Sequence, residues 1–161
     1  MTQAVLFLCT GNSARSIIAE CLLTRLGEGR FAAFSAGSRP AGAVHPFARR
    51  LLERRGYDVS RLRSKSWDEF ALPGAPEMDF IITVCDAAAG EACPVWPGHP
   101  GLAHWGIPDP AAAGGTQEEV MAAFEQAHGR LERRIGAFLA LTAEHPGREA
   151  LLRGLRAIGK T

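Results

Sequence analysis

The stretch FLCTGNSARSIIAE, Phe7 to Glu20, holds the residues best suited to chemistry: Cys9 and Arg15 with five residues between them, followed by Ser16. A thiolate is a strong nucleophile, and a guanidinium six positions later can clamp an oxyanion through two parallel N–H bonds. Between them Thr10, Gly11, Asn12, Ser13 and Ala14 form a short loop. If that loop leads from a strand into a helix, its successive backbone N–H groups line a cradle for a tetrahedral anion. Gly11 permits close approach, and Asn12 tolerates left-handed dihedrals and can tie the loop to itself. Such a positive setting is expected to lower the Cys9 thiol pKa, and Ser16 could hydrogen-bond the thiolate. A free cysteine often packs as a small hydrophobe, and C-x5-R alone does not decide against that. The strand-to-helix setting does.

The other cysteines are Cys21, Cys85 and Cys93. Cys21 stands among Ile18, Ala19 and Leu22 and reads as core. Cys85 ends the apolar run MDFIITVC, so two cysteines are expected at strand C-termini, where ligands bind in parallel sheets. No CxxC pair is present, and His99 and His104 lie in a Pro- and Gly-rich stretch without ligand spacing, so no metal site is expected. The arginines Arg49, Arg50, Arg54 and Arg55 alternate with apolar residues and read as a solvated helix face.

The elements that must position these groups follow from hydrophobic periodicity. Strands are expected at Ala4–Cys9, Arg30–Gly37, Met78–Cys85 and, more briefly, in LAHWG from Leu102. Helices are expected at 16–26, after Pro46, at 116–141 with a TQEE capping box, and at 148–158. Residues 86–115, rich in Gly, Pro and Ala, are expected to be mostly loop. Strands alternating with helices predict an α/β protein, a three-layer, four-stranded parallel sheet with helices on both faces. Two segments are expected: a main domain over 1–145 and a helical extension over 146–161 packed on it.

The chain of 161 residues is long enough for one such domain with a real core. Its formal net charge of +1 makes no field for polyanions, so no nucleic-acid partner is expected. No apolar run is long enough to span a bilayer, and the N-terminus lacks a basic leader. The expectation is a cytoplasmic monomer without a membrane partner.

The CTGNSARS loop resembles the phosphate-binding loop of the low-molecular-weight protein tyrosine phosphatase superfamily. The remainder is similar to its arsenate reductase branch, through SAG (Ser35–Gly37), VHPFA, TVCDAAAGEACP (Thr83–Pro94) and AHWGIPDP (Ala103–Pro110). The resemblance implies Cys9 as nucleophile, Arg15 as oxyanion clamp, residues 10–16 as the anion cradle and Asp109 as general acid. It further implies arsenate as substrate and a three-thiol relay: Cys9 attacks arsenate, Cys85 attacks Cys9, and Cys93 attacks Cys85. The DAAAGEA segment between the last two could loop out or partly unwind. No bound cofactor is implied; the electrons come from an external thiol reductant, thioredoxin or glutathione with glutaredoxin. The Cys85–Cys93 interval is slightly longer than in the thioredoxin-coupled relatives, which leaves that choice open. Lys65 falls near an aspartate that, with residues resembling Asn12, Glu20 and Ser35, binds potassium in some relatives; a lysine ammonium there could replace the ion. Trp105 is expected to pack under the general-acid loop.

Two other functions fit parts of the pattern. A phosphatase acting on phosphomonoesters needs Cys9, Arg15 and Asp109 but neither Cys85 nor Cys93; the Ala111–Ala113 run after Asp-Pro, where those phosphatases often carry aromatics, weighs against it. A non-catalytic thiol module binding arsenite or a soft metal would have no use for Arg15 or Asp109.

Overall fold

The apolar run at the N-terminus forms β1 (Gln3–Cys9), the centre of the architecture. The computed structural model describes residues 2–90, 96 and 98–161. Around β1 the chain lays α1 (Arg15–Leu26), β2 (Phe31–Gly37), α2 (Pro46–Arg54), β3 (Phe80–Thr83), α3 (Asp86–Gly90), β4 (Gly101–His104), α4 (Gln117–Ala143) and α5 (Arg148–Ile158), with 3-10 turns at Trp67–Phe70 and Pro110–Ala112. The four strands form one parallel sheet in the order β2-β1-β3-β4. The chain crosses to one side of β1 and then to the other, so a topological switch point lies between β1 and β3, where open parallel sheets bind ligands.

Side chains alternate across the strand and divide the core. Val5, Phe7 and Cys9 face α1, α4 and α5, while Leu6 and Leu8 face the other layer, where Trp67, Phe70 and Met78 cover the sheet. The two faces are covered unequally: the α-helices pack on one side, and the short 3-10 segment Trp67–Phe70 covers the other. Phe138 of α4 centres the larger core, with its ring against those of Phe31, Phe80 and Trp105.

Local signals act as their chemistry dictates. Pro46 occupies the first turn of α2, where its missing N–H costs nothing, and the His45 ring nitrogen accepts from Phe47 N–H to cap it. Thr116 and Glu119 make the reciprocal capping box that starts α4. Two expectations are corrected. The strand at 78–85 is regular only over Phe80–Thr83; Val84 still donates to Leu8 O, but Cys85 has turned out of the ladder. The loop expected at 86–115 contains α3 and the Pro110–Ala112 turn, because Asp86 followed by alanines is a favourable helix start.

Phe138→Ala removes a fully buried ring contacting three others, so it should lower unfolding free energy by about 3–5 kcal/mol in urea denaturation. A loss under about 1 kcal/mol would show that this cluster does not centre the core.

Candidate active site

The Cys9–Arg15 loop owes its shape to bonds on its outer side. The Thr10, Gly11 and Ser13 carbonyls accept from Arg39, Ala41 and His45 N–H at 2.9–3.0 Å, and Ser64 Oγ also donates to Gly11 O. A trans peptide sets each N–H opposite its carbonyl, so outward carbonyls turn the next N–H groups inward, toward one concave surface. Asn12 sits in the left-handed region at φ 43° and is fully buried; its side-chain nitrogen donates to Ser16 Oγ at 2.8 Å and its side-chain oxygen accepts from Lys65 N–H at 2.9 Å. Gly37, in register with Cys9, has no room for a side chain: a Cβ would collide with the Thr10 and Cys9 carbonyl oxygens. Arg15 opens α1, which starts without a side-chain cap or an acidic first turn, so the positive end of the helix is not neutralised there.

Arg15 joins this loop to the segment Ile107–Asp109. Its Nη1 donates to Ile107 O at 3.0 Å and its Nη2 lies 3.8 Å from Asp109 Oδ2. Asp109 is 43% exposed, against 14% for Arg15, and its other oxygen accepts from Ala111 N–H at 3.0 Å. The carboxyl thus stands at the mouth of the cradle with the guanidinium behind it. Trp105 is fully buried beneath, against Phe7 and Phe138.

Cys9 and Cys85 are both buried and free, and they lie close enough for each to act on the other's proton. The Cys85 sulfur also receives N–H groups from Thr10 at 3.3 Å and Ala88 at 3.4 Å, with Thr10 Oγ1 at 3.6 Å. This corrects one expectation. Arg15 does favour the Cys9 thiolate, but the hydrogen bond to Cys85 and burial outweigh it and push the Cys9 thiol up. The Cys85 thiol is lowered to about 5, by the hydrogen bond from Cys9 first and then by the Ala88 and Thr10 donors against burial. The Thr10 and Ala88 N–H groups on its sulfur favour the thiolate at Cys85 over Cys9. Residues along the chain pointed to Cys9; the deciding partner comes from the neighbouring strand. Cys21 is buried core, its thiol raised to about 12 by burial. Cys93 lies outside the described residues.

Two further clusters border the site. The Lys65 ammonium, 9% exposed, lies 3.8 Å from Glu20 Oε1 and donates to Arg63 O at 3.0 Å, while Ser35 Oγ donates to Glu20 Oε1 at 2.7 Å. Burial raises the Glu20 carboxyl and lowers the Lys65 ammonium, and the attraction between them opposes both shifts. Asn12, Glu20, Ser35 and Lys65, linked only by resemblance in the sequence, are thereby brought together under the cradle. Beside Cys85, the His104 ring bridges Thr83 Oγ1 and Asp86 Oδ1, each at 2.7 Å, tying the start of α3 to β4. No sequence motif marks that bridge, because it joins three elements.

The model of the low molecular weight phosphotyrosine protein phosphatase family matches residues 4–147. An arsenate reductase of Halalkalibacterium halodurans is 36% identical over 136 residues, covering 84% of this chain and 94% of its own. Among solved structures, an arsenate reductase from Archaeoglobus fulgidus superimposes with a TM-score of 0.61 at 30% identity, covering 82% of this chain and 98% of that one. A thioredoxin-dependent arsenate reductase of Corynebacterium glutamicum gives a TM-score of 0.61 at 27% identity, over 88% of this chain and 63% of that one, a little under two thirds of its length.

The geometry predicts that Cys85, not Cys9, is alkylated first by iodoacetamide, with a rate that rises through a pH of about 5 as its thiolate forms. Cys9→Ala removes the largest cause of that lowering, so the profile should move to higher pH. An unmoved profile would show that the Cys9 hydrogen bond does not set it.

Proposed function

Because this chain belongs to the low molecular weight phosphotyrosine protein phosphatase family, and its similar relatives are arsenate reductases, we propose that it reduces arsenate to arsenite through a cysteine relay. The observation that carries this reading is the Cys9–Cys85 contact. Hydrolysis of a phosphomonoester needs one thiol beside an oxyanion cradle. A second thiol in contact with the first, already ionised, serves a two-electron transfer.

The chemistry follows from the groups present. Arsenate enters the cradle of inward N–H groups and the Arg15 guanidinium. Cys9 passes its proton toward Cys85 and attacks arsenic, while Asp109 protonates the departing oxygen, which leaves as water. Cys85 then attacks the Cys9 sulfur, passing the proton it received to an arsenic-bound oxygen. The sulfur–arsenic bond breaks, its electron pair stays on arsenic, and arsenite leaves as the Cys9–Cys85 disulfide forms. The Thr10 and Ala88 donors to the Cys85 sulfur favour the thiolate this step requires. Cys93 is proposed to take Cys85 into a second disulfide, releasing Cys9, and an external thiol reductant regenerates the enzyme. Thioredoxin is the preferred donor, on the likeness to the thioredoxin-dependent relative. Lys65 is proposed to stand where some relatives hold a potassium ion, its ammonium supplying the charge beside Glu20.

Arsenate-dependent NADPH oxidation, with thioredoxin and thioredoxin reductase or with glutathione and glutaredoxin, tests the reading. Turnover is expected with wild type and abolished in Cys9→Ser and Cys85→Ser. Turnover with neither donor, alongside p-nitrophenyl phosphate hydrolysis that survives Cys85→Ser, would make the protein a phosphatase. Potassium should leave the rate and the melting temperature unchanged; a clear rise in either would contradict the role given to Lys65.

A further inference from the structure

Residues 148–161 lie beyond the family match, which ends at Gly147, yet they pack against the part of the fold that carries the acid loop. Helix α5 runs along β4 and its continuation. Arg148 donates to His99 O at 3.0 Å, Arg156 to Leu102 O at 3.3 Å, and the buried Trp105 ring donates to Leu155 O at 2.9 Å. Leu155 and Ile158 are buried in the main core. Gly159 passes so close that a Cβ would strike the His104 carbonyl and lie 2.9 Å from the Trp105 ring.

Arg134 of α4 completes the arrangement. Its guanidinium is buried and donates to four main-chain oxygens: Trp105 at 2.8 Å and Gly106 at 3.2 Å on the acid loop, Thr161 at 2.9 Å and Gly159 at 3.4 Å after α5. Arg15 holds the next carbonyl, Ile107, from the active-site side. Three successive carbonyls are therefore gripped by two arginines from opposite sides, just before Asp109. Pro108 and Pro110 flank that aspartate and fix their own φ, leaving little slack between Ile107 and the carboxyl.

We infer that α5 and Arg134 form a brace that sets Asp109 at the mouth of the cradle, with Arg134 and Trp105 as positioning residues. The inference rests on the reading of Asp109 as general acid. A planar fork reaching two segments at once is a task that lysine, a point charge, does not perform. Burial works against the Arg134 charge, so a fully buried guanidinium bonded to carbonyls needs those partners to be held still.

Hydrogen exchange and kinetics test it together. In the wild type, the Ile107 amide, which donates to Val84 O, should open in the same cooperative unit as α5 under mild denaturant; separate opening would overturn the brace. Trp105→Phe removes the bond to Leu155 O together with part of the ring packed on Phe7 and Phe138, and Arg134→Lys removes the fork. Each should speed exchange at Ile107 and Ala111 and lower kcat for arsenate by about three- to tenfold with KM within about twofold, as a modest displacement of a general acid requires. In an Asp109→Asn background neither change should lower kcat further, since both act through that carboxyl. Unchanged exchange, or an equal fall with and without Asp109, would overturn the proposal. Arsenate turnover by wild type, lost in Cys9→Ser, checks the parent reading separately, and the exchange experiment does not depend on it.

Discussion

Neighbouring strands of a sheet lie about 4.8 Å apart, and the Cα atoms of a disulfide usually about 5.5–6 Å apart. Two cysteines at the C-terminal ends of adjacent parallel strands can therefore touch now and bond later with little backbone movement. Most of this protein serves that constraint. β1 ends at Cys9, β3 ends just before Cys85, and the sheet order makes β1 and β3 neighbours at the switch point. Two buried sulfurs do not readily both ionise, and the N–H groups from Thr10 and Ala88 favour the charge on Cys85.

Around the sulfurs the protein builds rigidity in two directions. The cradle is held open from outside, by N–H groups of residues 39–45 on its outward carbonyls, by Asn12 reaching both Ser16 and Lys65, and by the close passage of Gly37. The acid loop is held from below, by Trp105 in the core and by Arg134. Arg15 is common to both, bonding Ile107 O while lying beside Asp109. The Arg15 guanidinium and the Asp109 carboxyl are thus fixed by elements from across the chain.

The parts legible in the sequence were those governed by local rules. The β1 run, the α1 periodicity, the TQEE capping box and the amphipathic 148–158 stretch each announce themselves within a dozen residues, and each forms as expected. The turn from strand to helix between Cys9 and Arg15 was legible because it is a local object. What was not legible is long-range. The charge resides on Cys85 because a partner on another strand and the first turn of α3 decide it. Arg134 looked like one of several arginines on a long helix, and only the packing of α5 shows that it reaches Trp105 and Thr161. The Asp86–His104–Thr83 bridge joins three elements that no spacing rule connects. Composition misled once: glycine, proline and alanine suggested loop where Asp86–Gly90 is helical.

In the proposed reaction two electrons leave the protein through Cys85. Fully reduced protein, mixed with arsenate in the absence of any external reductant and quenched with a thiol-blocking reagent, gives the direct test by disulfide mapping and arsenite assay. The account predicts a single equivalent of arsenite per protein, with Cys85 recovered in a disulfide. Arsenite formed while Cys85 remains free and alkylatable would contradict it.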